Sequence, residues 1–219
     1  MYLAAANDPL EALDLPVEAP SCPSARWENF PYSCLSHHGE SCCDIAREWV
    51  LAMDFAQLNG GDLTTGPRWM RARWEWGPTA WPIHWCEAVE KKTLDCGAHA
   101  ALAHEAFAAR GLTAFRAQFV QRYSKDATEQ WSCKWGADSV SEHWLGEDVI
   151  YHEGNALLMA DDEVKLWDAS AGWWINPRQT AGYGSLVAVR IFADGQFGGG
   201  DGLRWGEHRI KPNVWHQVG

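Results

Sequence analysis

A thiol becomes a useful nucleophile when it sits in a favourable field and has a base beside it, and one cysteine of this chain meets the first condition. Cys96 opens the run Asp95-Cys96-Gly97-Ala98-His99-Ala100-Ala101-Leu102-Ala103-His104, which continues in small residues to Arg110-Gly111. The spacing predicts a helix over about residues 96–110, stopped by Gly111. A helix N-terminus carries unpaired N–H groups and a partial positive charge, which favour a thiolate over a thiol. The base must come from elsewhere, and it needs a third group to orient it.

Two residues on expected strands supply these roles. His152 lies in Val149-Ile150-Tyr151-His152-Glu153-Gly154, and Asp168 lies in Lys165-Leu166-Trp167-Asp168-Ala169. Strand side chains alternate between faces, so His152 and Asp168 share a face only if the connecting turn has an odd number of residues. A three-residue turn at Ala160-Asp161-Asp162 pairs Met159 with Glu163 and Gly154 with Asp168. His152 is then diagonal to Asp168, about 7–8 Å away between backbones, a gap two inclined side chains can bridge. Gly154, opposite the aspartate, is expected to leave room for the imidazole.

The order of a cysteine at a helix start, a histidine on one strand and an aspartate on the next resembles the transglutaminase-like, papain-related cysteine enzymes. The local matches are Asp95-Cys96-Gly97, Tyr151-His152-Glu153 and Leu166-Trp167-Asp168-Ala169-Ser170, and the resemblance covers about residues 81–192. It implies Cys96 as nucleophile, His152 as general base and acid, and Asp168 as the group that orients the histidine. It also implies an α+β fold of papain/transglutaminase-like type, with the nucleophile helix packed on an antiparallel β-sheet. The implied activity is acyl transfer or amide hydrolysis on a peptide, amide or thioester small-molecule substrate, through a thioester acyl-enzyme and without a cofactor. Acyl chemistry needs an oxyanion hole. The Cys96 N–H is one natural donor, and the resemblance points to an upstream indole, Trp81 or Trp85, for a second. Gln118 on the following strand is a further polar candidate for the hole or the substrate groove.

The elements that must position these residues follow from periodicity. A helix is expected over residues 43–58, with Ile45, Trp49, Met53 and Ala56 on one stripe, then an irregular loop with short helical turns over 63–85. Strands are expected at 112–120, 149–159, 164–169 and 185–192, with a short one at 203–210 and a polar insertion at about 124–147. Helices first and strands afterwards suit an α+β arrangement. Residues 1–24 hold four prolines and read as an extended or partly disordered arm, leaving 25–219 as the catalytic domain.

Composition narrows the partners. The chain has 219 residues and a formal charge of -11, which argues against nucleic acid or an anionic membrane surface. Its first residues lack the basic start and apolar core of a signal peptide, so the expected setting is a reducing cytoplasm with free thiols. Tryptophan is the outlier at 15 residues, read mainly as core and groove wall. The cluster Cys22, Cys34, His37, His38, Cys42 and Cys43 invites zinc, but its spacings form no paired ligand arms, and no metal is assigned. Two alternatives to an enzyme remain: a non-catalytic binding protein that uses a Trp-rich groove, and a zinc-stabilised interaction module.

Overall fold

Apolar residues recur at helical spacing in the first half of the chain and alternate in the second, and the elements divide accordingly. The computed structural model describes residues 41–58, 62–77, 85–122, 149–176, 185–193 and 197–218. The expected arm at 1–24 and the insertion at 124–147 lie outside them.

The helical part comprises α1 (Ser41–Gln57), α2 (Trp69–Arg73), α3 (Trp85–Glu90) and α4 (Cys96–Ala109). Two short parallel strands, β1 (Glu75–Trp76) and β2 (Thr93–Leu94), link them. The rest is strand: β3 (Ala114–Arg122), β4 (Val149–Leu158), β5 (Val164–Asp168), β6 (Trp173–Ile175), β7 (Ser185–Phe192), β8 (Leu203–Trp205), β9 (His208–Ile210) and β10 (His216–Gln217). Six of these form one antiparallel sheet in the order β10-β7-β3-β4-β5-β6. Helices combined with a mostly antiparallel sheet are the expected α+β content.

Two local expectations are corrected, and two short strands are added. The span 203–210 is a hairpin rather than one strand, because Gly206 takes a left-handed φ of 59° and turns Trp205 back onto His208. β6 and β10 are only three and two residues long, too short for a periodicity to register. Among the described α1 side chains Val50, Leu51, Met53 and Asp54 are buried while Ala56 faces outward, so this part of the stripe is rotated from the one expected.

The rotation has a cause in Asp54, whose buried carboxylate joins three helices. It accepts from Arg110 Nε and Nη2, each at 2.7 Å, and from Trp69 Nε1 at 2.9 Å. Arg110 also donates to the Thr65 carbonyl. An apolar layer of Val50, Met53, Trp69, Trp74, Leu102, Phe107, Leu157 and Trp167 fills the space between the helices and one sheet face. The opposite face packs Phe115, Phe119, Leu166, Val189 and Ile191 against the β8–β9 hairpin residues Leu203, Trp205 and Ile210. The tryptophans in the described core thus act as packing, with Trp69, Trp74 and Trp167 fully buried.

Candidate active site

The helix that carries Cys96 is fixed at both ends by backbone chemistry. β2 runs directly into it, and its pairing with β1 continues in a Gly77 N–H donated to the Leu94 carbonyl at 3.0 Å. Asp95 is the N-cap: extended in φ and ψ, it accepts from the Ala98 N–H at 2.9 Å, as a capping carboxylate should. Cys96 is therefore the first residue of α4. At the other end Gly111 takes φ 77°, and the Leu112 and Gly111 N–H groups return to the Phe107 and Ala108 carbonyls. That is the glycine-stopped terminus expected from the sequence.

β4 and β5 are joined by a three-residue turn, Ala160–Asp162, in which Asp161 and Asp162 both have φ of 56°. Aspartate tolerates this region better than most residues. The turn sets Asn155 opposite Trp167 and Leu158 opposite Val164, and the Met159 N–H donates to the Glu163 carbonyl at 2.7 Å. This is the odd-turn register, so His152 and Asp168 lie on one face. His152 Nε2 is 2.9 Å from Asp168 Oδ1, with both side chains buried. The same oxygen accepts from Ser170 Oγ at 3.1 Å and from the Ala171 N–H at 3.0 Å, so three donors converge on it. With Nε2 committed to Asp168, Nδ1 is the ring nitrogen left to serve Cys96, whose thiol lies close enough for the ring to act on its ionisation.

Gly154 has a different role from the one expected. A Cβ there would lie 2.2 Å from the Trp167 carbonyl oxygen and 2.7 Å from the Phe119 ring. The missing side chain admits the β5 backbone and Phe119 rather than the imidazole. The end of β5 thereby rides close over β4 and brings Asp168 within reach of His152.

The electrostatics oppose one expectation. Burial pushes the Cys96 thiol above its ordinary pKa; the His152 ring pulls it down, while the Asp95 and Glu153 carboxylates add to the rise. The helix start alone therefore does not leave a free thiolate. Burial would lower the His152 pKa, but the Asp168 charge and hydrogen bond outweigh it and hold the ring well above 6.5. Asp168 is held below its usual value, because His152 and the Ser170 and Ala171 donors outweigh burial. The site as a whole is a thiol, a basic imidazole and an ionised carboxylate in sequence, which suits proton removal from sulfur followed by nucleophilic attack.

The remaining sequence candidates are placed differently. Gln118 is buried on β3, where its Nε2 donates to Glu153 Oε1 at 3.3 Å and its Oε1 accepts from Arg190 Nε at 2.9 Å. Its amide thus bridges two charged residues. Trp81 lies outside the described residues; Trp85 begins α3, and its side chain lies outside them too. Cys22, Cys34, His37 and His38 are likewise outside, as are the side chains of Cys42 and Cys43 on α1. Among the described residues no group of three or more His, Cys, Asp or Glu is placed to hold a metal. No described helix is long and apolar enough to cross a membrane.

Two contributors were not picked out from the sequence as site residues. Ser170, two residues after Asp168, reaches both members of the pair, standing 3.5 Å from His152 Nε2. Asn155 donates from Nδ2 to the Ala100 carbonyl at 2.9 Å and ties β4 to α4. A polar residue at an inward position of a strand was the available signal. Comparison with protein-family models, curated proteins and solved structures returned no match.

Proposed function

We propose that the chain is a cysteine-dependent acyl enzyme of the transglutaminase-like, papain-related type, acting on an amide or thioester. The observation that carries this reading is the buried His152–Asp168 contact at 2.9 Å with the Cys96 thiol on the same imidazole. Packing alone rarely leaves a buried histidine between a thiol and a carboxylate, since each costs desolvation.

In the proposed reaction His152 takes the thiol proton as sulfur attacks the substrate carbonyl. The tetrahedral oxyanion lies against the Cys96 N–H at the start of α4, where the helix dipole favours negative charge. His152 then protonates the leaving amine or thiol, and a thioester to Cys96 remains. Water or an amine resolves it, giving hydrolysis or transfer. Asp168 stabilises the imidazolium formed on the way.

The test is intact mass after incubation with a panel of peptides, amides and thioesters. An acyl adduct on the native chain that is absent from Cys96→Ala is the expected result. A second reading, a non-catalytic binder on the same fold, is favoured by the raised thiol pKa. Iodoacetamide separates the two. Alkylation of Cys96 that follows a simple thiol titration and is unaffected by His152→Ala would favour the binder.

A further inference from the structure

Four residues, Ala169-Ser170-Ala171-Gly172, turn β5 into β6, and the turn closes between the paired Asp168 and Trp173. Backbone bonds hold it: the Gly172 N–H donates to the Asp168 carbonyl at 2.8 Å, and Gly172 takes φ 74°. Ala169 and Ala171 are buried, and Ser170 is the one turn residue with a polar side chain. Serine in a turn commonly bonds a neighbouring backbone group. Here its half-buried hydroxyl meets Asp168 Oδ1 at 3.1 Å and His152 Nε2 at 3.5 Å, while those two atoms are 2.9 Å apart.

The protons in this triangle can be assigned. An ionised carboxylate only accepts, so the single Ser170 hydroxyl proton goes to Oδ1. Ser170 Oγ then presents only lone pairs to Nε2. Two acceptors therefore face Nε2, and both require that it carry a proton. A neutral imidazole has one N–H, so its lone pair is on Nδ1, the nitrogen left for Cys96. The carboxylate is held through one oxygen, because Asp168 Oδ2 is buried and makes no hydrogen bond among the described residues. Ser170 and the Ala171 N–H are thus what aim Oδ1 at the ring. Phe119 packs on the imidazole at 6.3 Å between centroids, a contact that does not choose between the nitrogens.

We propose that Ser170 is a positioning residue: its hydroxyl holds Asp168 Oδ1 and the Nε2–H of His152 together, so that the neutral ring keeps its lone pair on Nδ1 for Cys96. The proposal rests on the reading above in which His152 serves Cys96. In the step concerned Nδ1 takes the Sγ proton as sulfur attacks, and Nε2 keeps its own proton throughout.

Iodoacetamide follows that step without an acyl donor: sulfur bonds to the methylene carbon, iodide leaves, and the proton passes from His152 to solvent. The rate is measured below the titration of the thiol, and its His152-dependent part is the excess over His152→Ala. Ser170→Ala should lower that part about three- to tenfold, as loss of one neutral hydrogen bond would. Nitrogen NMR of the neutral His152 ring should show the proton on Nε2 in the native chain and partly on Nδ1 in Ser170→Ala. Ser170→Thr keeps the hydroxyl and should restore both the rate and the native tautomer. Equal losses in the Ala and Thr variants would assign the effect to packing of the turn and overturn the proposal. So would a native tautomer in Ser170→Ala. If the native rate has no His152-dependent part, the acyl reading fails separately, and the tautomer in Ser170→Ala still decides the role of Ser170.

Discussion

Asp168 sets the ionisation of the site, because it is the group that outweighs burial at His152. The ring accepts a proton from Cys96 only when neutral, so acylation should rise with pH along a limb well above 6.5. In Asp168→Asn the burial remains and the charge is gone, so that limb should move to lower pH. The maximal rate should fall as well, by about 10⁴-fold where the aspartate both orients the ring and stabilises the imidazolium. A pH profile of Cys96 acylation that keeps its limb in the variant would rule this out. Asp95 offers a second residue-level test, since it caps α4 and its charge raises the thiol pKa. Asp95→Ser keeps a cap and removes the charge, so the thiol should titrate lower with stability nearly retained. Asp95→Ala should lower it equally but cost about 1 kcal/mol of stability. Iodoacetamide kinetics and urea unfolding on both variants check the separation. The sequence placed Cys96 at the helix start, but burial and nearby carboxylates, which a linear reading does not contain, reverse the expected sign at sulfur.

At the scale of elements, the β4–β5 hairpin was the most legible part of the site. Side-chain alternation and an odd turn put His152 and Asp168 together without knowledge of the rest of the fold. What alternation could not convey is how β5 closes over Gly154, because that depends on how closely Trp167 on β5 and Phe119 on β3 each approach it. Gly154→Ala should force β5 away from β4 and lengthen the His152–Asp168 contact, with a loss of about 1–3 kcal/mol typical of overpacking. The expected signature is a lowered His152 pKa by NMR along with the loss of stability; an unchanged imidazole titration would count against it. The helical elements have a comparable pin in Asp54. The stripe read from the sequence missed it, because a buried acid is visible only through its partners Arg110 and Trp69. Asp54→Ala leaves a buried guanidinium without its counter-ion and should cost about 3–5 kcal/mol in urea unfolding.

On the scale of the whole molecule, one helix joins the helical layer to the sheet: α4 is capped beside the thiol, tied to Asp54 by Arg110 and to the sheet by Asn155. Site geometry and global stability are therefore coupled through it, and pH acts on both. The His152–Asp168 pair contributes stability above the lowered Asp168 pKa and below the raised His152 pKa. Across the mildly acidic range that contribution is constant. His99, fully buried on α4, behaves in the opposite way. Burial holds its pKa down to about 4, against the pull of the Asp95 and Trp74 carbonyls and the Asp168 charge, with the cationic His152 ring adding to the depression. Its Nδ1 lies 3.0 Å from the Asp95 carbonyl, which suits the neutral ring as donor. An unfolded chain takes up a proton there near pH 6.5, whereas the folded chain refuses it until about pH 4. Stability should therefore be fully present above 6.5 and decline as pH falls, with a loss of about 3 kcal/mol by pH 4. In the sequence His99 is one residue of the small-residue run that follows Cys96; only its neighbours make it an acid trigger. His99→Gln keeps a donor near the Asp95 carbonyl and cannot take up a proton. Urea unfolding between pH 7 and pH 4 should show a flatter decline in this variant than in the native chain. Parallel declines would mean that the acid sensitivity comes from the carboxylates and not from this ring.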